Sequence, residues 1–321
     1  MGPLDFVVPS RRSFLRSGAL GLGALSLQGL LPKAAQDPQQ NARSPRQRSP
    51  RCKSVIYLHM EGAPSPLDMF DRKPLLQKFD GTPCPAEFLE RMRFAFIKGH
   101  PKLLGARYGF KKCGRAGVDV VELLPHLATV MDDLCVVKSM QTDQFNHAPA
   151  EFLMFTGSPR IGRPAMGSWV CYGLGSENAN LPGFVVLVSG TLPSAGRSVF
   201  GSGFLPSSLQ GVQLRSKGEP VLFLDDAKDV DRDARRRMLD VARDLDTSGY
   251  ETHRDRETLA RLQQHELAFR MQMSVPEAAD LSSEPEEVHR LYGTEPGKVS
   301  FANNCLLARR LVERGVRFVQ L

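Results

Sequence analysis

The stretch LLARRLVERGVRFVQL, residues 306–321, decides how the fold is interpreted. Its first part has apolar residues at helical spacing, and Gly315 is a typical residue at the end of a helix. The β-branched and aromatic residues Val316, Phe318 and Val319 then favour a strand. A helix that leads directly into a strand is typical of α/β proteins.

Three other short apolar runs are strand candidates. Residues 54–60 (SVIYLHM) and 182–190 (PGFVVLVSG) combine β-branched or aromatic residues with turn residues on their C-terminal side. Residues 135–140 (CVVKSM) form the third candidate. We predict that all three are strands and that the first is buried.

Helical segments separate these runs. Residues 141–157 begin as a loop and continue as a helix, with Pro149 suited to its first turn and Gly157 to its end. Residues 255–273 have apolar side chains at helical spacing. The alternation predicts an α/β fold, a three-layer sandwich with a largely parallel sheet. Residues 190–250 lack a clear pattern, and we interpret them as an excursion from the sheet.

Composition excludes several classes of protein. The chain has 321 residues, 41% of them hydrophobic and 24% charged, which is ordinary for a globular protein and excludes disorder throughout. Of its 42 Lys/Arg and 35 Asp/Glu residues, residues 1–53 hold nine and two, so the remainder has 33 of each. This neutral remainder, with one Trp and five Tyr, argues against nucleic-acid binding.

The N-terminus has the layout of a signal peptide. Arg11 and Arg12 precede an uncharged stretch from Ser17 to Leu31. That stretch is shorter than the roughly 20 residues that a membrane-spanning helix needs, so no permanent membrane anchor is expected. The segment resembles a twin-arginine export signal. We therefore predict a twin-arginine-type signal peptide over 1–35, a flexible linker over 36–52, and an exported domain over 53–321, located in the periplasm or at the cell surface.

Polar residues follow the first and the 135–140 strand candidates. They are Glu61, Ser65, Asp68 and Asp71 in one loop and Thr142, Asp143, Asn146 and His147 in the other. Because ligands of open parallel sheets bind at the carboxyl ends of strands, these groups predict a site that holds a divalent metal and presents an oxygen nucleophile. The alternative is that the same residues have structural roles.

The acidic residues are also suited to capping helices or forming turns, and His147 to capping or packing against its helix. The histidines His59, His126 and His265 are interpreted as structural.

At these loops the chain resembles the DUF1501 family, exported bacterial proteins placed near the sulfatases in the alkaline phosphatase superfamily. The resemblance extends in order over residues 53–76, 122–187 and 305–321. It implies an alkaline-phosphatase-like fold in which divalent metal ions, zinc, calcium or similar, activate a nucleophile at the strand ends. The implied substrates are phosphate or sulfate esters of small molecules or carbohydrates.

The family patterns are matched with two departures. The GGPSxxDxFDxKP type of segment has Ala63 in place of its second glycine, and the RSMHTDxxNHxPA type has Gln141 where many relatives carry histidine. The resemblance implies Asp68 and His147 as metal-site or phosphate-site residues. It also implies Thr142 as nucleophile or oxyanion contact and Asn146 as an orienting hydrogen-bond donor. The C/S-x-P-x-R sequence of classical sulfatases is not matched by TGSPR, residues 156–160, which disfavours a formylglycine mechanism.

Relatives continue past a strand like GVRFVQL into segments that supply further Asp and His ligands. We therefore expect an incomplete, N-terminal portion of an alkaline-phosphatase-like domain, inactive as this chain, with hydrolase activity in the complete protein. The alternative is an exported, non-catalytic binding or surface protein that retains the fold. Substrate identity and oligomeric state stay open at this point.

Overall fold

The structure is a computed structural model that describes residues 52–91, 97, 99–215, 220–221 and 230–321. The predicted signal peptide, 1–35, and the predicted linker, 36–52, lie outside the described residues except for Cys52.

Two sheets are formed by six strands of the described chain. The strands are β1 Val55–Tyr57, β2 Phe110–Cys113, β3 Val118–Val121, β4 Phe184–Leu187, β5 Val212–Leu214 and β6 Phe318–Gln320. The main sheet has four strands in the order β1-β6-β4-β5, and every described neighbouring pair is parallel. Strands β2 and β3 form a separate antiparallel pair.

Helices connect and cover these strands. They are α1 Pro66–Met69, α2 Pro74–Lys78, α3 Ala86–Arg91, α4 Pro125–Thr129, α5 His147–Thr156, α6 Met166–Leu174, α7 Arg232–His253, α8 Arg256–Ala279, α9 Glu286–Tyr292 and α10 Phe301–Glu313. Side chains of Asp231, Asp255 and Ser300 accept hydrogen bonds from the first turns of α7, α8 and α10, which fixes where these long helices begin.

Strand β6 lies inside the sheet and pairs with a strand on each side. In its register Phe318 is opposite Val55 of β1 and Phe184 of β4. Its predecessor α10 ends at Glu313, and Gly315 turns the chain with a φ of +87°, a conformation that glycine adopts at little cost. The predicted passage from helix to strand over 306–321 is therefore confirmed.

Each face of the sheet packs against helices. On one face, Val185 and Val319 join a buried cluster with residues of α8 and α10. On the other face, Phe184 and Phe318 pack edge to face with their ring centroids 5.3 Å apart, in a cluster that includes residues of α5 and α6. Helix α6 approaches so closely that a Cβ at Gly167 would lie 2.7 Å from the Phe184 ring. The predicted three-layer α/β sandwich is confirmed.

Helices α7 and α8 form an antiparallel pair joined by ion pairs. Arg236 of α7 lies 2.8 Å from Glu266 of α8, and Arg261 of α8 lies 2.7 Å from Asp246 of α7. Although these are the longest helices described, no helix in the described part of the chain has both the length and the apolar character that a membrane span requires.

Some strand predictions were wrong. Residues 135–140 form no strand; Val137 is 59% exposed and Lys138 pairs with Asp71, so this run stays outside the sheet. Strand β1 forms, but as an edge strand whose Val55 and Ile56 are exposed rather than buried. The stretch 190–250, interpreted as an excursion, contributes the opposite edge strand β5 and most of helix α7.

A buried ion pair fastens α10 to the segment that follows α8. The Arg310 guanidinium donates to the Ala278 and Glu277 carbonyls, each at 3.0 Å, and to the Glu284 carboxylate. Arg309 donates to the other oxygen of Glu284. The side chains of Arg310 and Glu284 are 7% and 10% exposed, so water could not replace either partner if the ion pair were broken.

We expect Glu284→Gln to lower the free energy of unfolding by about 2 kcal/mol at pH 7, because it leaves a buried guanidinium without its counter-charge. Hydrogen bonding from Arg309 lowers the pKa of Glu284 below its ordinary 4.5, so its contribution is present above that pH and lost as the pH falls through the lowered pKa. Urea unfolding at several pH values measures both effects.

The matched control is Glu313→Gln, which removes a more exposed partner of Arg309 and should cost less than about 0.5 kcal/mol. An equal cost for the two variants, or a cost of Glu284→Gln that does not shrink in acid, would contradict this role.

Candidate active site

A cleft of about 500 Å³ opens beyond the carboxyl end of β1, against helix α5. Its lining residues are His59, Glu61, Gly62, Met140, Gln141, Thr142, His147, Ala150, Glu151, Leu153 and Met154. A second cavity of about 340 Å³ shares His59 and Glu61 with it and reaches the carboxyl ends of β4 and β6. The polar groups therefore lie at the edge of a parallel sheet where ligands usually bind.

Helix α5 presents two titratable side chains to the cleft. Asn146 is its N-cap, with Oδ1 accepting a hydrogen bond of 2.9 Å from the His147 amide. Gly157 ends the helix in the left-handed conformation, with a φ of +72°. His147 and Glu151 are four residues apart and therefore project from the same helical face. The local sequence thus fixes both the start of α5 and the face that lines the cleft.

The loop after β1 touches His147 through a glycine. Gly62 has a φ of +70°, and a Cβ built on it would lie 2.8 Å from Cε1 of His147. The close approach therefore needs glycine for two reasons, its backbone conformation and its missing side chain. Ala63, which replaces the second glycine of the family pattern, is followed by a cis peptide bond to Pro64.

Two glutamates hold the loop that follows β4. Glu61 accepts hydrogen bonds from the amide and the hydroxyl of Ser194. Glu151 Oε2 accepts a hydrogen bond of 2.8 Å from the Ala195 amide. Three segments that are distant in sequence, after β1, in α5 and after β4, are therefore joined by two carboxyl groups.

His59 and Glu151 face each other without a hydrogen bond. His59 Nε2 and Glu151 Oε1 lie 3.8 Å apart, both atoms are buried, and no hydrogen bond joins them. The Glu151 carboxyl also lies within hydrogen-bonding range of the Glu61 carboxyl. Glu151 is 4% exposed, and the His59 ring packs edge to face on Phe155 with 4.7 Å between centroids. Two buried polar atoms that face each other without a hydrogen bond require an explanation, and a bound water or ion that contacts both is one explanation.

The environments of Glu61 and Glu151 shift their pKa values in opposite directions. Hydrogen bonding from Ser194 lowers the pKa of Glu61. Burial raises the pKa of Glu151, and the neighbouring Glu61 carboxylate adds to the rise. Burial also lowers the pKa of His59, which favours its neutral imidazole. The Glu61 carboxyl therefore favours its ionised form, and the Glu151 carboxyl favours its protonated form.

The predicted site residues are only partly brought together. Thr142 and His147 line the same cleft, and the Thr142 hydroxyl oxygen accepts a hydrogen bond of 3.0 Å from the Gln144 amide. Asn146 adjoins them as the helix cap, with its side-chain oxygen accepting. Asp68 lies in α1 and is not among the residues that line either cavity.

Sequence reasoning gave no functional role to two of the central residues. His59 was interpreted as structural, although it stands four residues before the recognisable Ala63-Pro64 turn, and Glu151 was not considered. The available signal for Glu151 was its spacing of four from His147 on one helix. The signal for His59 was its spacing of two from Glu61 after a strand, since alternate residues of extended chain project to the same side.

The donor atoms of the cleft are not arranged as a complete metal centre. Among the described residues, no group of three or more His, Cys, Asp or Glu side chains is placed to hold a metal ion. The described residues that line the first cavity also include no lysine or arginine.

We expect Gly62→Ala to lower the melting temperature and to shift the imidazole NMR signals of His147, because the new methyl group would strain the backbone and displace the ring. The cost should be at least about 1 kcal/mol. Gly81→Ala is the matched control, since Gly81 has a φ of +76° but nothing lies within 4 Å of the added Cβ.

Both variants should lose stability through their backbone strain. Gly81→Ala should leave the imidazole signals of His147 where they are in the wild-type protein. If Gly62→Ala also leaves them there, the loop does not contact His147.

Comparisons with known proteins agree with the family suggested by the loop patterns. The family described as protein of unknown function (DUF1501) matches residues 52–321. Neither the curated proteins nor the solved structures contained a match. Because the match covers the whole described part of the sequence, from the first strand to the last, the chain belongs to the DUF1501 family.

Proposed function

We propose that the cleft is the site of a divalent-metal-dependent hydrolysis of phosphate or sulfate esters, in a fold related to the alkaline phosphatase superfamily. The parallel sheet with helices on both faces supports this relationship, as does the position of the cleft at the carboxyl ends of the strands. Esters of small molecules or carbohydrates are the proposed substrates.

The proposal rests on His59 Nε2 and Glu151 Oε1, which face each other in a buried position with no hydrogen bond between them. Imidazole nitrogen and carboxylate oxygen are ordinary ligands of zinc, at about 2.0–2.2 Å each. The 3.8 Å between these two atoms places both side chains where they would hold a divalent cation together. The donor atoms therefore fit a divalent cation, and His59 and Glu151 would hold it, with Glu61 and His147 as neighbouring donors.

Charge also favours a cation in this cleft. An anionic ester would meet the Glu61 carboxylate, and the described lining residues provide no lysine or arginine to offset the repulsion. A bound divalent ion would neutralise that charge and polarise the ester oxygen. Two side-chain ligands bind a metal weakly, so water or the substrate itself is expected to complete the coordination.

The chain's own residues supply the remaining groups. The Thr142 hydroxyl lies at the cleft with its oxygen oriented by the Gln144 amide, and it is the proposed nucleophile or oxyanion contact. Glu61 stays ionised because its pKa is lowered, and as a carboxylate at the cleft it is the proposed proton acceptor. The exposed His147 is the proposed proton donor to the leaving group. Asn146 positions His147 by capping α5. Asp68 remains a proposed ligand with no described contact to the cleft.

We expect the full chain to bind zinc with a stoichiometry of one in titration calorimetry after treatment with chelator. His59→Gln and Glu151→Gln should each weaken binding by at least about tenfold, because each removes one of the two buried donors. The sequence predicts an inactive chain, but the cleft is formed, so with zinc bound we expect hydrolysis of 4-nitrophenyl phosphate or sulfate. Thr142→Ala should lower that hydrolysis by at least about a hundredfold.

His126→Gln is the control, since His126 is exposed on α4 away from the cleft. Zinc affinity that is the same in all three variants would contradict the assignment of the site. Zinc binding without hydrolysis of either ester would retain the metal site and overturn the proposed reaction.

A second candidate function is a non-catalytic binding protein. It is favoured by the hydrogen bonds that occupy Glu61 and Glu151 in holding Ser194 and Ala195, and by the lack of a three-ligand group among the described residues. For this candidate the same titration should show no zinc binding, and a carbohydrate array probed with the full chain should show binding without turnover.

We also propose that the protein is exported by the twin-arginine route to the periplasm or cell surface. The support is the match of Ser10, Arg11, Arg12, Phe14 and Leu15 to the export pattern. Replacing both arginines by lysine should retain the protein in the cytoplasm, as measured by cell fractionation. Unchanged export of that variant would overturn the proposed route.

A further inference from the structure

Helix α7 has an exposed apolar stripe. Met238, Val241 and Leu245 are 56%, 60% and 69% exposed. Their spacing of three and four residues places them along one side of the helix. Large apolar side chains are individually common at protein surfaces, but three in register along a single helix are typical of a helix interface.

The stripe is distinct from the polar contacts that join α7 to α8. Those contacts use Arg236 and Asp246 of α7, which pair with Glu266 and Arg261 of α8. Met238 also lines a groove of about 240 Å³ between the two helices. The apolar stripe and this groove therefore form one surface on the outside of the helix pair.

The charges of α7 are distributed unevenly along its length. Residues 232–242 contain four arginines and two aspartates, whereas residues 243–253 contain one arginine and three acidic residues. This order is the reverse of the one that the helix dipole favours, which is acidic at the N-terminus and basic at the C-terminus. The stability of the isolated helix therefore does not account for the pattern.

The charges next to the stripe are complementary to those of an antiparallel copy. Arg237 immediately precedes Met238, Asp244 immediately precedes Leu245, and Glu251 lies one further heptad along. In an antiparallel helix pair such flanking positions face one another, so Arg237 would meet either Asp244 or Glu251 of a second copy, depending on the register. Asp244 lies 3.7 Å from Arg243 of its own helix and would exchange that partner for Arg237 of the second copy. Arg237 makes no ion pair with any described residue, which leaves its charge available for that contact.

We propose that α7 is a self-association surface, on which two copies of this chain pair through antiparallel α7 helices. The Met238, Val241 and Leu245 stripe forms the apolar seam, and the Arg237 contacts set the antiparallel direction. The proposal is independent of the hydrolase function, because the surface lies outside both cavities of the candidate active site.

Analytical ultracentrifugation of the full chain between about 1 and 100 μM tests the pairing. We expect a monomer and dimer equilibrium that Val241→Arg abolishes and Arg237→Glu weakens by at least about tenfold. The triple variant Arg237→Glu, Asp244→Arg, Glu251→Arg reverses every charge in the contact and should restore dimerisation. Circular dichroism of each variant checks that α7 still folds.

Leu291→Arg is the control, because Leu291 is an 81% exposed apolar residue on α9. A protein that stays monomeric at 100 μM, or a dimer that Val241→Arg does not dissociate, would overturn the proposal. Failure of the triple variant to rescue Arg237→Glu would overturn the antiparallel arrangement.

Discussion

The hydrogen bonding of β6 to a strand on each side is the interaction on which the rest of the structure depends. Its residues pair with β1, which lies more than 250 positions earlier in the chain, and with β4. Without β6 in place, β1 and β4 would have no common neighbour in the described sheet, and the two buried clusters would have no shared surface to pack against. Pairing β1 with β6 closes a very long loop, which costs conformational entropy of the chain. The burial of apolar side chains on both faces of the sheet must offset that cost.

The same arrangement places the candidate active site. Because β1 is held parallel to β6, the residues that follow β1 emerge at the carboxyl edge of the sheet, where His59 and Glu61 meet helix α5. Gly62 then allows the loop to touch His147, and Glu61 and Glu151 together hold the loop that follows β4. These long-range contacts bring the buried atoms His59 Nε2 and Glu151 Oε1 to within 3.8 Å of each other without a hydrogen bond. That arrangement is the feature of the site that most needs a chemical explanation.

Local patterns were sufficient where a segment has one strong preference. The helix and strand over 306–321 and the buried run that became β4 were predicted correctly, since Gly315 marks the helix end and all four residues of β4 are buried. The start and end of α5 were likewise predictable from Pro149 and Gly157.

Patterns failed where tertiary position decides the outcome. CVVKSM has the composition of a strand, yet Lys138 pairs with Asp71 outside the sheet, while VQL, residues 212–214, is too short to recognise and becomes β5. In the site, the loop with Thr142 and His147 reaches the cleft even though the strand predicted before it does not form. The sequence favours a structural role for His59, because no local pattern links it to Glu151, which lies 92 positions away in sequence.

We propose that His59 and Glu151 hold a divalent cation at the edge of the sheet. Crystallographic diffraction from the full chain grown with zinc, recorded on both sides of the zinc absorption edge, tests it most directly. We expect an anomalous peak in contact with His59 Nε2 and Glu151 Oε1. A peak elsewhere with none at this position, or a water molecule that bridges the two atoms in the presence of zinc, would contradict it.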